Sequence, residues 1–222
     1  MQWFTKFLNS SVGQKWIVGI TGLMLVGFLL GHISGNLLVF VGPEALNSYA
    51  KGLKDLGPLL WVMRLGLLGA FALHIVFTIK LSKRAREARP TPYHTRKRLR
   101  SSFASAYMLQ SGFVLLAFVI YHLAHYTWLV AQPEIRAFGE SMDVYSMLVG
   151  GFSVWYISLF YILAMGVLML HLNHGASSFF QSLGLNHPQY NLLFRRVGPV
   201  LSVILFLAYA AIPVSVQLGL IK

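Results

Sequence analysis

Five apolar runs, roughly Trp16 to Val41, Leu59 to Leu81, Phe103 to Val130, Met147 to Leu172 and Val197 to Leu220, constrain this chain more than any other feature. A helix rises about 1.5 Å per residue and the hydrocarbon core of a bilayer is about 30 Å thick, so about 20 residues cross it. Each run reaches that length. Without water to satisfy backbone groups, chain inside lipid must be helix or closed barrel, and uninterrupted runs of this length read as helices. The expected fold is an all-α integral membrane protein, five transmembrane helices in one membrane domain over residues 1–222. Turn signals separate the runs at Gly42-Pro43, Gly57-Pro58 and Gln132-Pro133. Lys6, Lys15, Trp3, Phe4 and Phe7 precede the first run. That run is too long for a secretory leader and no small-residue cleavage site follows it, so the first fifteen residues read as a retained interfacial segment.

Composition then removes whole classes of function. With 56% hydrophobic and 11% charged residues, a soluble enzyme is excluded. The absence of cysteine excludes disulfides, thiolate ligation of iron–sulfur clusters and a cysteine nucleophile. The formal net charge of +12 would suit nucleic acid only if it were spread over the chain, and it is not. Thirteen basic residues (Lys6, Lys15, Lys80, Lys83, Arg84, Arg86, Arg89, Arg96, Lys97, Arg98, Arg100, Arg195, Arg196) and the single acid Glu87 fall at the end that carries the N-terminus. Five basic residues (Lys51, Lys54, Arg64, Arg136, Lys222) and five acids (Glu44, Asp55, Glu134, Glu140, Asp143) fall at the other. Positive charge concentrates in cytoplasmic loops, so the N-terminus is expected inside and nucleic acid is not an expected partner. The basic run from Lys83 to Arg100 also suits docking of a soluble partner or anionic lipid.

The histidines acquire depths from this topology. His32 lies sixteen residues after Trp16, about 24 Å up the first span, and His122 lies nineteen residues after Phe103 on the third, which also runs outward. His74 and His171 stand near the inner ends of the second and fourth spans. Four spans thus each carry an imidazole, at two levels with two per level. Ionisable side chains inside a membrane are costly and mark function by default. Two stacked bis-histidine metal centres need this arrangement, each iron taking imidazoles from facing helices across one porphyrin plane. His125 and His174 stand three residues from His122 and His171 and remain open as ligands. His94 and His187 fall in loops.

A weak internal repeat favours His122. Gly22 precedes His32 by ten residues and Gly112 precedes His122 by ten. Gly35 and Gly175, one turn beyond His32 and His171, share the ligands' faces and would let a flat macrocycle approach the backbone. Arg64, Tyr49 and Trp61 are the nearest outer-side candidates for a propionate contact or, as the family resemblance below implies, a quinone contact, and serve equally as interfacial anchors. Six-coordinate centres with no open position suit electron transfer and not chemistry on a substrate. Spacing alone does not name the donor and acceptor.

Ser11-Val12-Gly13-Gln14-Lys15, Thr21-Gly22-Leu23, His32-Ile33-Ser34-Gly35-Asn36-Leu37, Asn47-Ser48-Tyr49 and Ala72-Leu73-His74, followed by Ser111-Gly112, His122-Leu123, and His171 with Gly175, resemble the cytochrome b558 family over nearly the whole chain. These are the di-haem membrane subunits of succinate dehydrogenases and fumarate reductases. The resemblance implies an outer haem b on His32 and His122 and an inner haem b on His74 and His171. It further implies a flavoprotein subunit that handles dicarboxylates, an iron–sulfur subunit beneath the inner haem, menaquinone or another quinone near the outer haem, and a bacterial cytoplasmic membrane. The chain is then the electron-transfer subunit of an enzyme and carries no dicarboxylate site itself. A cytochrome b of a hydrogenase or formate dehydrogenase, a histidine-dependent proton or ion transporter, and a haem-free assembly or anchor protein are the alternatives.

Overall fold

The computed structural model describes residues 2–88, 102–185 and 187–222. Positions 89–100 of the basic run, with His94, lie outside them. Among the described residues the chain is entirely helical, with no strand. The α-helices are α1 (Gln2–Asn9), α2 (Ser11–Asn36), α3 (Pro43–Asp55), α4 (Pro58–Glu87), α5 (Phe103–Ala106), α6 (Met108–Tyr126), α7 (Arg136–Glu140), α8 (Val144–Ser153), α9 (Trp155–Ser182) and α10 (Asn191–Gln217). Short 3-10 turns cover Leu37–Phe40 and Pro133–Ile135. Five segments are long and apolar enough to cross a membrane: Ser11–Phe40, α4, α6, α9 and α10.

Local chemistry sets the helix starts. Ser10 caps α2, its Oγ accepting from the Gly13 amide at 2.9 Å, which satisfies a donor that the first turn leaves free. The two Gly-Pro pairs start helices. Gly42 (φ 130°) and Gly57 (φ 54°) adopt left-handed backbone that a side chain would oppose, and the prolines behind them open α3 and α4 with φ already set.

The apolar runs and the helices differ in register at several ends. The fourth run, expected over 147–172, is two helices. Val154 is extended (ψ 113°) and separates α8 from α9. Carbonyls freed by that break find other donors: Phe152 O accepts from Ser158 Oγ at 2.7 Å and Gln217 Nε2 at 2.6 Å, and Ser153 O from Gln217 Nε2 at 3.1 Å. Beyond residue 172 the pattern turns polar, yet α9 continues to Ser182 because α10 packs along it. Phe180 stacks on Phe194 with ring centroids 4.2 Å apart, and a Cβ on Gly198 would overlap Asn173 O and Ser177 Oγ. The third run, expected over 103–130, breaks at Tyr107 and ends at Tyr126, where the chain reverses through Leu129 (φ 54°). The second continues past Leu81 to Glu87 as a charged turn, and the fifth spans 191–217, not 197–220.

The helices α2, α4, α6 and α9 form a closed ring, each touching two neighbours, and α10 lies outside against α9 and α2. α4 is apolar around most of its circumference and buries only Ala70, as expected of a helix facing lipid. The end opposite the N-terminus is covered by α3, α7 and α8, with Val39, Leu46, Ile135 and Leu148 buried beneath them. Asn47 bolts this cap together. Its amide donates to Asp143 Oδ1 at 2.9 Å, and its carbonyl accepts from the Tyr145 amide at 2.9 Å. Asp143 also caps α8, accepting from the Ser146 amide at 3.2 Å. The bonds from Ser146 and Asn47 hold the Asp143 carboxyl below its ordinary range.

Candidate paired-histidine site

At the level nearer the cap, α2 and α6 bring His32 and His122 together, ring centroids 5.8 Å apart and planes at 82°. Two imidazoles holding one metal from opposite sides, with metal–nitrogen bonds of about 2 Å, place their centroids about 6 Å apart. Phe28 stacks on His32 at 5.3 Å, and Tyr209 approaches it at 6.2 Å while donating to Leu29 O at 2.9 Å. The Asn36 amide donates to His32 O at 2.8 Å and stands 3.3 Å from His32 Nε2; an amide nitrogen only donates, so that ring nitrogen is unprotonated, and a metal there would take the lone pair that Asn36 meets.

The tautomer of His122 follows from a chain of four residues. Gln132 Nε2 donates to Gly150 O at 3.3 Å, which turns Gln132 Oε1 toward His125 Nε2 at 2.8 Å. An amide oxygen only accepts, so His125 carries its proton on Nε2 and its Nδ1 is an acceptor. Tyr161 Oη therefore donates to His125 Nδ1 at 2.9 Å and accepts from His122 Nδ1–H at 3.3 Å. Nε2 of His122 is left with a free lone pair. His125, fully buried, has both nitrogens engaged, whereas His122 keeps one for a ligand.

At the level nearer the N-terminus, the same logic is built from hydroxyls. His74 Nδ1 stands 3.2 Å from Val18 O and 3.2 Å from Thr21 Oγ1, whose proton goes to Ile17 O at 2.6 Å. Both oxygens accept, so Nδ1 is protonated and Nε2 is free. His171 Nδ1 meets Ser111 Oγ at 3.0 Å, and that hydroxyl donates to Met108 O at 3.0 Å. His171 lies within electrostatic reach of His74 and His174. The repeated glycines abut these rings: a Cβ on Gly22 would stand 3.3 Å from His74 Cε1, and one on Gly112 3.6 Å from His171 Cε1. The ten-residue interval thus joins a histidine at one level to the hydroxyl–glycine seat of a histidine at the other.

Other sequence-predicted residues lie elsewhere. The Tyr49 ring covers Gly35, where a Cβ would overlap it. The space by Gly175 is roomier, Met108 Cε being 3.9 Å from a Cβ built there. Arg64 stacks its guanidinium 5.3 Å over Trp61, and both are exposed on α4. His187 accepts from the Gln189 amide at 3.3 Å in a loop. Tyr161, Gln132, Thr21 and Ser111 also serve the site, although none is a histidine. A hydroxyl residue before each repeated glycine was the available signal for the last two; Tyr161 and Gln132 carry none.

Among the described residues no three His, Cys, Asp or Glu converge on one point. Paired imidazoles, with Nε2 free on His74, His122 and His171 and unprotonated against Asn36 on His32, suit a metal whose other positions are filled by a macrocycle, and the donor set fits haem. Tyr126 Oη, buried with no partner and 5.8 Å ring to ring from His122, is an orphaned donor beside the His32–His122 pair. A cavity of about 560 Å³ opens nearby, lined by Tyr121, Gln132, Glu134, Phe138, Tyr156 and Ile157. No protein-family model, curated protein or solved structure matches the chain.

Proposed function

We propose that this chain is the di-haem cytochrome b subunit of a succinate:quinone oxidoreductase. On this reading it anchors a flavoprotein and an iron–sulfur subunit to a bacterial cytoplasmic membrane, with its N-terminus inside. The observation that carries the reading is the pair of levels, with Nδ1 of His74, His171 and His122 engaged by the protein so that Nε2 is left free, and with His32 facing His122 at 5.8 Å between ring centroids. The family resemblance supplies the partners.

His32 and His122 would hold one haem b, and His74 and His171 the other. Held by those residues, such a group would supply one-electron transfer. The chain's own contribution is orientation. Thr21, Ser111 and Tyr161 accept from the Nδ1 protons and so keep three ligands neutral and turned inward. Phe28 and Phe118 stack against the outer imidazoles and restrict their rotation. The cavity beside Gln132 lies within the size range of small-molecule sites and is the place we assign to the quinone, with the Glu134 carboxyl on its wall. The basic end, with Arg84 and Arg86 on the last turn of α4 and Lys83 just before it, would receive the acidic surface of a soluble partner.

The test is a reduced-minus-oxidised spectrum of the purified chain with a haem-to-protein ratio. Two haems per chain, one lost in His74→Ala, and co-purification with a flavoprotein are expected. A colourless protein defeats the reading.

A further inference from the structure

The two levels seat their histidines differently. At the inner level each Nδ1–H meets a hydroxyl whose proton is already committed to its own helix, so the seat ends within one turn. At the outer level the His122 seat is a chain, Tyr161 to His125 to Gln132, which crosses from α9 to α6 and then to the loop before α7, ending on the wall of the 560 Å³ cavity. Every member is satisfied, and Gln132 is pinned in turn to Gly150 O. A fully connected buried network of this kind costs more to maintain than an apolar contact, and it specifies one arrangement.

We propose that Tyr161, His125 and Gln132 are positioning residues that set the basicity of His122, and with it the potential of the outer centre, independently of the inner one. This rests on the di-haem reading above. The acceptor on His122 Nδ1–H raises the electron density at Nε2, which favours the oxidised metal. His125, one turn from His122, is excluded as the ligand itself because Gln132 and Tyr161 occupy both its nitrogens. Polarisation passes along the chain: Tyr161 accepts more strongly from His122 because it donates to His125, and His125 accepts more strongly because it donates to Gln132. The cavity wall and the ligand are thereby linked through three hydrogen bonds.

Tyr161→Phe keeps the ring, which packs against Phe118 and Phe152, and removes only the oxygen. Potentiometric titration of the two spectral components, with haem counted per chain, is the assay. Two haems are expected to remain. One component should rise in potential, its oxidised-to-reduced ratio at fixed potential falling about tenfold, or about 59 mV for a one-electron couple, while the other stays put. Gln132→Met should move the same component the same way by less. Ser111→Ala should move the other component alone. The proposal is overturned if Tyr161→Phe moves neither component, or both alike. Should that variant fail to accumulate, Gln132→Met decides, and an unmoved component overturns the proposal. A colourless wild-type chain defeats the di-haem reading and this inference with it; a two-haem chain with unmoved potentials defeats this inference only.

Discussion

Asn47→Asp exchanges one amide NH2 for an oxygen and reverses how the cap responds to pH. In the wild type the Asn47 amide donates to Asp143 Oδ1 at 2.9 Å, and its oxygen accepts from the Tyr145 amide at 2.9 Å. The aspartate keeps the second bond and turns the first into two facing carboxylates. A hydrogen bond to a charged acceptor is worth about 1.5–3 kcal/mol, and like charges about 4 Å apart repel by about 1 kcal/mol in water and about 4 kcal/mol at the effective dielectric of a protein surface. Asp143 is only half-buried, so solvent screening selects the low end of both figures, and the net loss is about 2–3 kcal/mol at neutral pH. The sign with pH is opposite in the two proteins. Wild-type Asp143 has a lowered folded-state value, so its contribution is present above the ordinary 3.8 and disappears only as pH falls below it. In the variant one carboxyl must take a proton, its value is raised above the ordinary one, and stability returns as pH falls from neutral toward 4, where the wild type is still flat. Thermal unfolding of the purified protein in detergent between pH 7 and 4, with hydrogen exchange at the Tyr145 and Ser146 amides, reads both effects. A variant as stable as wild type at pH 7, or one that loses stability on mild acidification, would refute the bolt.

On the di-haem reading, with the inner level the one nearer the N-terminus, three further outcomes test the seats of the histidines. His74→Ala should lose one of two haems and leave the outer component's spectrum and potential in place, as read by haem content and redox titration. Thr21→Val removes a hydroxyl that accepts from His74 Nδ1 while keeping its shape; Val18 O remains, so retention of the inner haem should weaken by no more than about tenfold, measured by haem loss on dilution in detergent. Gly22→Val, whose first added carbon already stands 3.3 Å from His74 Cε1, should displace that imidazole and empty the inner level, leaving helix content by circular dichroism unchanged.

Much of this molecule can be read from local composition, because lipid imposes its demands one segment at a time. Any run of about 20 apolar residues must become a helix if it enters the bilayer, whatever its neighbours do, so the five spans needed no knowledge of packing. Charge sorting between the ends is likewise a property of loops. The depths of His32, His74, His122 and His171 follow from counting along a rod of known rise. Tertiary structure decided what depends on two segments at once. Val154 breaks an apolar run that hydropathy joins, and the break stands only because Ser158 and Gln217 meet the freed carbonyls. Tyr49 lies over Gly35, filling a space that the sequence offers to any flat group. His122 and His125 share a helix and a chemistry, and differ only in that Gln132 and Tyr161 together engage both nitrogens of one and a single nitrogen of the other. Hydrogen bonds are directional and their partners here come from segments 7 to 39 residues away, so no periodicity along the chain encodes which imidazole keeps a lone pair free.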